Sequence, residues 1–298
     1  MIGYTGVMGK VALKGSIVPF SYPGSKSKML SDLYSLLPNH ITCVDVFGGS
    51  GAFLLNKPKS QIEVYNDVNR ALVTFFRVVR DRCDELVEKL EWTPYSRYEQ
   101  FMCRKYIESL DEINCENELE VARCVFVMFG QCYNGARTSW RVITRNAVPV
   151  SKKMFETYYS KIEKLKKIRD RLREVYIECY DFVRIFEAYD SEDTLFYCDP
   201  PYVKLARRDR KGDIYMEEMT NERHEELVDI LLNVKGKVML SGYSNKIYER
   251  LEKNGFTRYD FKTNVSITHD DLRRERDMSA IESVWVNYEV LNLFSEFH

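Results

Sequence analysis

Cys198-Asp199-Pro200-Pro201-Tyr202 closes an apolar run that begins at Thr194 and gives way to a polar stretch after Val203. β-Branched and aromatic residues stopped by two prolines read as a buried strand with a rigid C-terminal end. In an open α/β sheet that end is where ligands bind. The stretch brings a carboxylate (Asp199), a backbone carbonyl that cannot swing away (Pro200) and an aromatic face (Tyr202) to one place. Together they suit a flat base bearing an exocyclic amine. A strand ending in a proline turn, with Asp199 as turn former and Tyr202 as packing, explains the same string, so the surrounding segments must decide.

Upstream, Thr42 to Val46 reads as a short buried strand that runs into Phe47-Gly48-Gly49-Ser50-Gly51 and then a helical start, Ala52 to Leu55. Strand, glycine turn and helix make the first unit of a Rossmann-like sheet, in which glycines let a ligand approach the backbone. The glycine spacing is not that of dinucleotide sites, and no P-loop lysine follows. A second strand, Ile62 to Tyr65, ends at Asn66-Asp67. An acid there holds ribose hydroxyls in Rossmann-like sites; capping of a helix from Asn69 to Arg80 is the competing role. A glycine turn without a phosphate partner, plus a ribose acid, points to adenosine without phosphates, and S-adenosylmethionine fits.

Two further segments extend this site. The turn from Pro19 to Lys26 precedes a helix from Met29 to Leu37 and gathers N–H groups and a lysine where a carboxylate could sit; an ordinary capped helix start reads as well. Val175 to Cys179 is a strand ending in Tyr180-Asp181-Phe182. That acid and aromatic could clasp an adenine ring, or Asp181 could simply cap the next helix.

Between these halves the strand–helix alternation stops. Ala71–Arg80, Asp84–Trp92, Tyr95–Leu110 and Glu118–Tyr133 all carry apolar residues at helical spacing, which predicts a helical insertion. Its end, Phe129 to Arg141, places Tyr133, Asn134, Arg137 and Arg141 around an Asn-Gly turn. Such a mixture can wedge into a base stack while its arginines grip phosphates; a solvated hairpin is the alternative. Lys152 to Arg173 is a long basic helix, whose charges read either as a solvated face or as a surface turned toward a duplex. After it, residues 204–219 read as a mobile polar loop, Thr220–Leu232 and Asn245–Asn254 as helices, and Lys237–Leu240, Phe256–Phe261 and Glu282–Val290 as strands. His269, Arg273, Arg274 and Arg276 form a second candidate for nucleic-acid contact.

Composition narrows the class. Hydrophobic content of 45% and charged content of 30% are those of a soluble globular protein, and a net charge of -1 leaves any phosphate contact to a local basic face. The 8 cysteines contain no Cys-x-x-Cys pair and the 4 histidines no ligand-spaced cluster, which argues against structural zinc and for reduced thiols in the cytoplasm. No apolar run approaches the roughly 20 residues of a membrane span, and no secretory signal is expected.

Taken in order, Tyr22-Pro-Gly-Ser-Lys26, Asp45-Val-Phe-Gly-Gly-Ser-Gly51, Asn66-Asp67, Tyr133-Asn134-Gly135 and Asp199-Pro-Pro-Tyr202 resemble the alpha group of DNA adenine-N6 methyltransferases, the Dam-like enzymes. The resemblance implies an S-adenosylmethionine-binding α/β sheet (1–70 and 160–298) interrupted by a helical target-recognition domain (71–159). It makes Tyr22, Lys26, Asp67 and Asp199 the principal cofactor contacts, beside Asp45, Phe47, Gly48, Gly49 and Gly51. Asp181 and Phe182 would hold the cofactor's adenine, Tyr133 would probe the base stack, and Asp199, Pro200 and Tyr202 would receive a flipped-out adenine of double-stranded DNA. Tyr22 and Ser25 stand where the family often has Trp and Gly. Residues Ala136 to Arg141 do not match the segment that reads GATC, so GATC is not implied. A prokaryotic or phage-encoded protein is expected, either solitary or partnered functionally by a restriction endonuclease. RNA adenine or protein glutamine as methyl acceptor, and a catalytically silent DNA-binding protein, are the rival readings.

Overall fold

The computed structural model describes residues 16–132, 148–202, 219–264 and 279–290. One seven-stranded sheet organises them. Its strands are β1 (Thr42–Asp45), β2 (Ile62–Asn66), β3 (Val175–Glu178), β4 (Thr194–Cys198), β5 (Lys237–Gly242), β6 (Thr257–Asn264) and β7 (Ser279–Val286), in the order β3-β2-β1-β4-β5-β7-β6. β1 to β5 pair in parallel, whereas β7 runs antiparallel to both β5 and β6. This is the Rossmann-like arrangement expected from the sequence.

Both faces of the sheet are covered, which is why its central strands read as unbroken apolar runs. Along β4, Leu195 and Tyr197 enter one core while Phe196 and Cys198 enter the other. On the first face lie α1 (Leu30–Ser35), α2 (Ala52–Asn56), α3 (Arg70–Asp81), α4 (Cys83–Glu91), α5 (Arg97–Glu108), α6 (Glu118–Gly130) and α7 (Val148–Leu172). On the second lie α8 (Phe182–Tyr189), α9 (Asn221–Leu231) and α10 (Glu249–Lys253). The predicted insertion is thus helical. Phe75, Phe126 and Phe129 from α3 and α6 share one continuous core with Phe20, Tyr65 and Tyr197.

Several boundaries differ from those expected, each for a local reason. The helix predicted from Asn245 starts at Glu249, because the Asn245 side chain accepts from the Ile247 and Tyr248 amides and makes a turn first. The final strand is Ser279–Val286 rather than Glu282–Val290: its full length pairs with β6, and Asn287 then turns its side chain to Gly236 and Val238. In α7, Arg171 is not a solvated charge. It binds the Glu63 carboxylate, which also holds Lys57 at 2.6 Å. No described helix is long and apolar enough to cross a membrane.

Candidate active site

The strand order reverses between β1 and β4, and a ligand crevice is expected beyond the C-terminal ends of strands at such a point. A cleft of about 250 Å³ lies there, and the ends of β1, β2, β3 and β4 all line it.

The wall at β1 is the glycine turn. Gly48 N–H donates to Asn66 O (2.7 Å) and Gly51 N–H to Gly48 O (2.8 Å), so the turn is pinned to the end of β2 and closed on itself. A Cβ at Gly48 would overlap the Tyr65 ring. Gly49 and Gly51 take φ of 53° and 67°, values that favour glycine; Gly51 is the N-cap of α2 and stays outside the lining. The Asn66 amide donates to Val46 O (2.9 Å) and Tyr180 O (3.1 Å) and accepts from Tyr180 N (2.9 Å), fixing the spread of three strand ends.

Asp67 holds the floor together: Oδ2 accepts from Gly49 N–H and Oδ1 from Asn69 N–H, both at 2.9 Å. Asn69, not Asp67, caps α3, which removes the competing reading of that acid. Asp45 lines the same cleft with both carboxylate oxygens buried and, among the described residues, no well-formed hydrogen bond, the Leu54 backbone amide giving only a minor favourable contact. Burial, then the negative charges of Asp199 and Asp67, push its carboxyl well above the usual range. A buried, poorly satisfied acceptor facing a cavity suits a ligand that brings a cation or N–H groups. With a glycine wall admitting close approach, the cleft fits S-adenosylmethionine.

The reactive corner is an ion cluster. Lys26, 3% exposed, donates to Asp199 Oδ1 (2.5 Å), the Tyr202 hydroxyl (2.7 Å) and Gly24 O (3.1 Å), and its ammonium lies 2.9 Å from Glu282 Oε1. The Tyr202 hydroxyl in turn donates to Glu282. Its ring packs against Tyr243, centroids 4.5 Å apart. Burial raises the Asp199 carboxyl to about 6 despite the opposing pull of Lys26, with Glu282 raising it further. Asp199 and Pro201 line the cleft; the buried Pro200 and the Tyr202 ring stand beside it.

At the far end, Asp181 and Phe182 line the cleft together. Asp181 Oδ1 caps α8 through Val183 N–H (3.0 Å), and Oδ2 pairs with Arg223, whose guanidinium lies 4.3 Å over the Phe182 ring. Tyr22 faces Gly49 and packs its ring on Phe129 of α6 at 4.9 Å, which joins the helical block to the cleft. Tyr133, Asn134, Arg137 and Arg141 lie outside the described residues, as do residues 203–218 after Tyr202 and the stretch around His269.

Sequence reading missed Glu282, Arg223 and the bracing role of Asn66. Glu282 carried a signal: by period two it shares a face with Val284 and Val286, so a carboxylate was being aimed into a core. Arg223 had none, because any helix start can carry an arginine.

A family model described as D12 class N6 adenine-specific DNA methyltransferase matches residues 22–268. A DNA adenine methylase of Haemophilus influenzae is 22% identical over 273 residues, covering 88% of this chain and 93% of its own. The type II methyltransferase M.MjaIII of Methanocaldococcus jannaschii is 28% identical over 215 residues, covering 64% of this chain and 71% of its own. Among solved structures, the rRNA methyltransferase aviRa of Streptomyces viridochromogenes aligns over 89% of this chain and 84% of its own at 12% identity, with a TM-score of 0.36.

Proposed function

The chain belongs to the D12 class of N6-adenine-specific DNA methyltransferases, and from that premise we propose that it methylates a flipped-out adenine of double-stranded DNA at the Asp199–Tyr202 corner. The observation that carries the reading is the meeting, in one cleft, of the glycine turn, Asp67, the buried Asp45 carboxylate and Asp199.

An adenine stacked in a duplex hides its amine from a pocket of this depth, so the base must leave the helix, at a few kcal/mol. The Tyr202 ring restores stacking worth roughly 1 to 3 kcal/mol. Asp199 Oδ1 is committed to Lys26, and Oδ2, without a hydrogen bond among the described residues, is the oxygen offered to one N6 hydrogen. The Pro200 carbonyl takes the other. These bonds draw the N6 lone pair out of ring conjugation and aim it. Asp67 is offered to ribose hydroxyls, Asp181 and Phe182 to the cofactor's adenine, and Asp45 to its cationic groups. S-adenosylmethionine held there would supply a methyl group on a sulfonium, a leaving group that takes the C–S electron pair, to the N6 nitrogen that Asp199 and Pro200 orient, and that nitrogen would give up one proton to solvent. Geometry and the negative charge beside the nitrogen supply the acceleration.

Residues 71–159 act as the target-recognition unit in this reading, with Tyr133, Asn134, Arg137 and Arg141 at the DNA. The relatives' names divide between a DNA adenine methylase and a type II methyltransferase, so a functional partnership with a restriction endonuclease, in the cytoplasm where DNA is reached, is part of the proposal. Incubation with radiolabelled S-adenosylmethionine and duplex DNA, RNA or protein, followed by nucleoside analysis, is expected to yield N6-methyladenine in duplex DNA alone. Label in RNA or in glutamine overturns the choice of acceptor, and no label anywhere overturns the reading.

A further inference from the structure

Lys26 makes Asp199 a poor electrostatic partner for a cation, since an ammonium 2.5 Å away cancels most of the carboxylate's field. The same ammonium meets a second carboxylate, Glu282, at 2.9 Å, and the three groups together keep one net negative charge. Lys26 has three N–H donors, and Asp199, Tyr202 and Gly24 use them all. Glu282 therefore meets Lys26 by charge, and its hydrogen bond is the one it accepts from the Tyr202 hydroxyl. That hydroxyl is held on both sides, as acceptor from Lys26 and donor to Glu282, while Tyr243 backs the ring.

We infer that Glu282 is a positioning residue for methyl transfer, acting through Lys26 and Tyr202: it restores the negative charge that Lys26 takes from Asp199 and locks the Tyr202 ring as a stacking platform before DNA arrives. The inference rests on the methyltransferase reading above. A carboxylate 6% exposed on the core face of a strand is costly to keep unless it is paired, and here both of its partners belong to the reactive corner. Preset geometry of this kind lets binding energy go to the transition state.

The charge half of the idea reads out in the protein without DNA. Asp199 is faced by Lys26 from the loop before α1, Asp45 from β1, Tyr197 and Cys198 from β4, Tyr248 from the turn before α10, and Glu282 from β7. Burial pushes the two phenols and the thiol upward, so they stay neutral. The charge on Glu282 raises the Asp199 carboxyl; removing it lowers that carboxyl.

The test compares Glu282→Gln, Glu282→Asp and Tyr202→Phe with the wild-type protein. Glu282→Gln is expected to weaken binding of cationic S-adenosylmethionine roughly tenfold while leaving neutral S-adenosylhomocysteine unchanged. It should also move the Asp199 carboxyl titration, followed by carbon NMR in the ligand-free protein, to lower pH. Glu282→Asp and Tyr202→Phe keep the charge, so they should keep the wild-type ratio of the two affinities yet lower kcat/KM for DNA about tenfold or more. A Glu282→Gln protein with the wild-type affinity ratio and an unmoved titration overturns the inference. Should that variant fail to fold, Tyr202→Phe decides, and wild-type kcat/KM for DNA then overturns it. Wild-type protein that never methylates DNA sinks the parent reading instead.

Discussion

Asp199 carries the strongest single-residue prediction. Its carboxylate must be ionised to accept from an amine, and burial with Lys26 and Glu282 beside it sets its carboxyl at about 6. The pH profile of kcat/KM is therefore expected to climb through about pH 6 and level off above it. Asp199→Ala should cut kcat at least about 100-fold with the fold intact, as checked by single-turnover methylation and circular dichroism. Gly48 is the second case. A Cβ there overlaps the ring of Tyr65, which is buried and tied to Gly49 O at 2.8 Å and so cannot swing away. Gly48→Ala is expected to cost about 1 to 3 kcal/mol in denaturant unfolding and to weaken cofactor binding. Asp199, the glycines and Asp67 were legible in the chain because each ends a recognisable apolar strand. The links between them were not, since Lys26 to Asp199 and Tyr202 to Glu282 join segments far apart in the chain, and no local pattern records such pairs.

At the scale of elements, the Lys57–Glu63–Arg171 cluster ties β2 to the loop after α2 and to the last turn of α7. Burial alone would raise the Glu63 carboxyl, yet the Arg171 hydrogen bonds and the Lys57 charge outweigh it and leave it lowered. A carboxyl lowered in the folded state adds stability above its unfolded value and loses that contribution as pH falls. Wild-type stability should therefore drop from below about pH 4.5 downward, and Glu63→Gln should flatten that part of the curve. Because the variant leaves two buried cations short of a partner, it should also cost about 3 kcal/mol at neutral pH; urea unfolding across pH measures both. The elements themselves were readable from periodicity, and their ends were less so. Asn245 and Asn287 moved two boundaries by turning side chains onto backbone groups, a choice made by what those groups lack in the fold rather than by the residue itself.

For the whole molecule, the continuous core running from Tyr197 in the sheet through Phe20 and Phe75 to Phe126 implies that sheet and helical block unfold together. Far- and near-ultraviolet circular dichroism transitions should coincide on heating, and separate transitions would contradict a shared core. Phe126→Ala, outside the cleft lining, should lower stability by about 3 to 5 kcal/mol and shift both signals equally. That helices would interrupt the strand pattern was plain in the sequence; that they would lie on one face and press Phe129 against Tyr22 was not, because both faces of α6 are apolar.

β7 comes last in chain order among the described strands, yet it slots between β5 and β6 and delivers Glu282 to a lysine near the other end. During synthesis, a ribosome-bound chain that has extruded only β1 to β6 carries Asp199 and Lys26 but neither the seventh strand nor its carboxylate. A chain cut before β7 leaves β5 and β6 without the strand that joins them, and Lys26 without its second carboxylate.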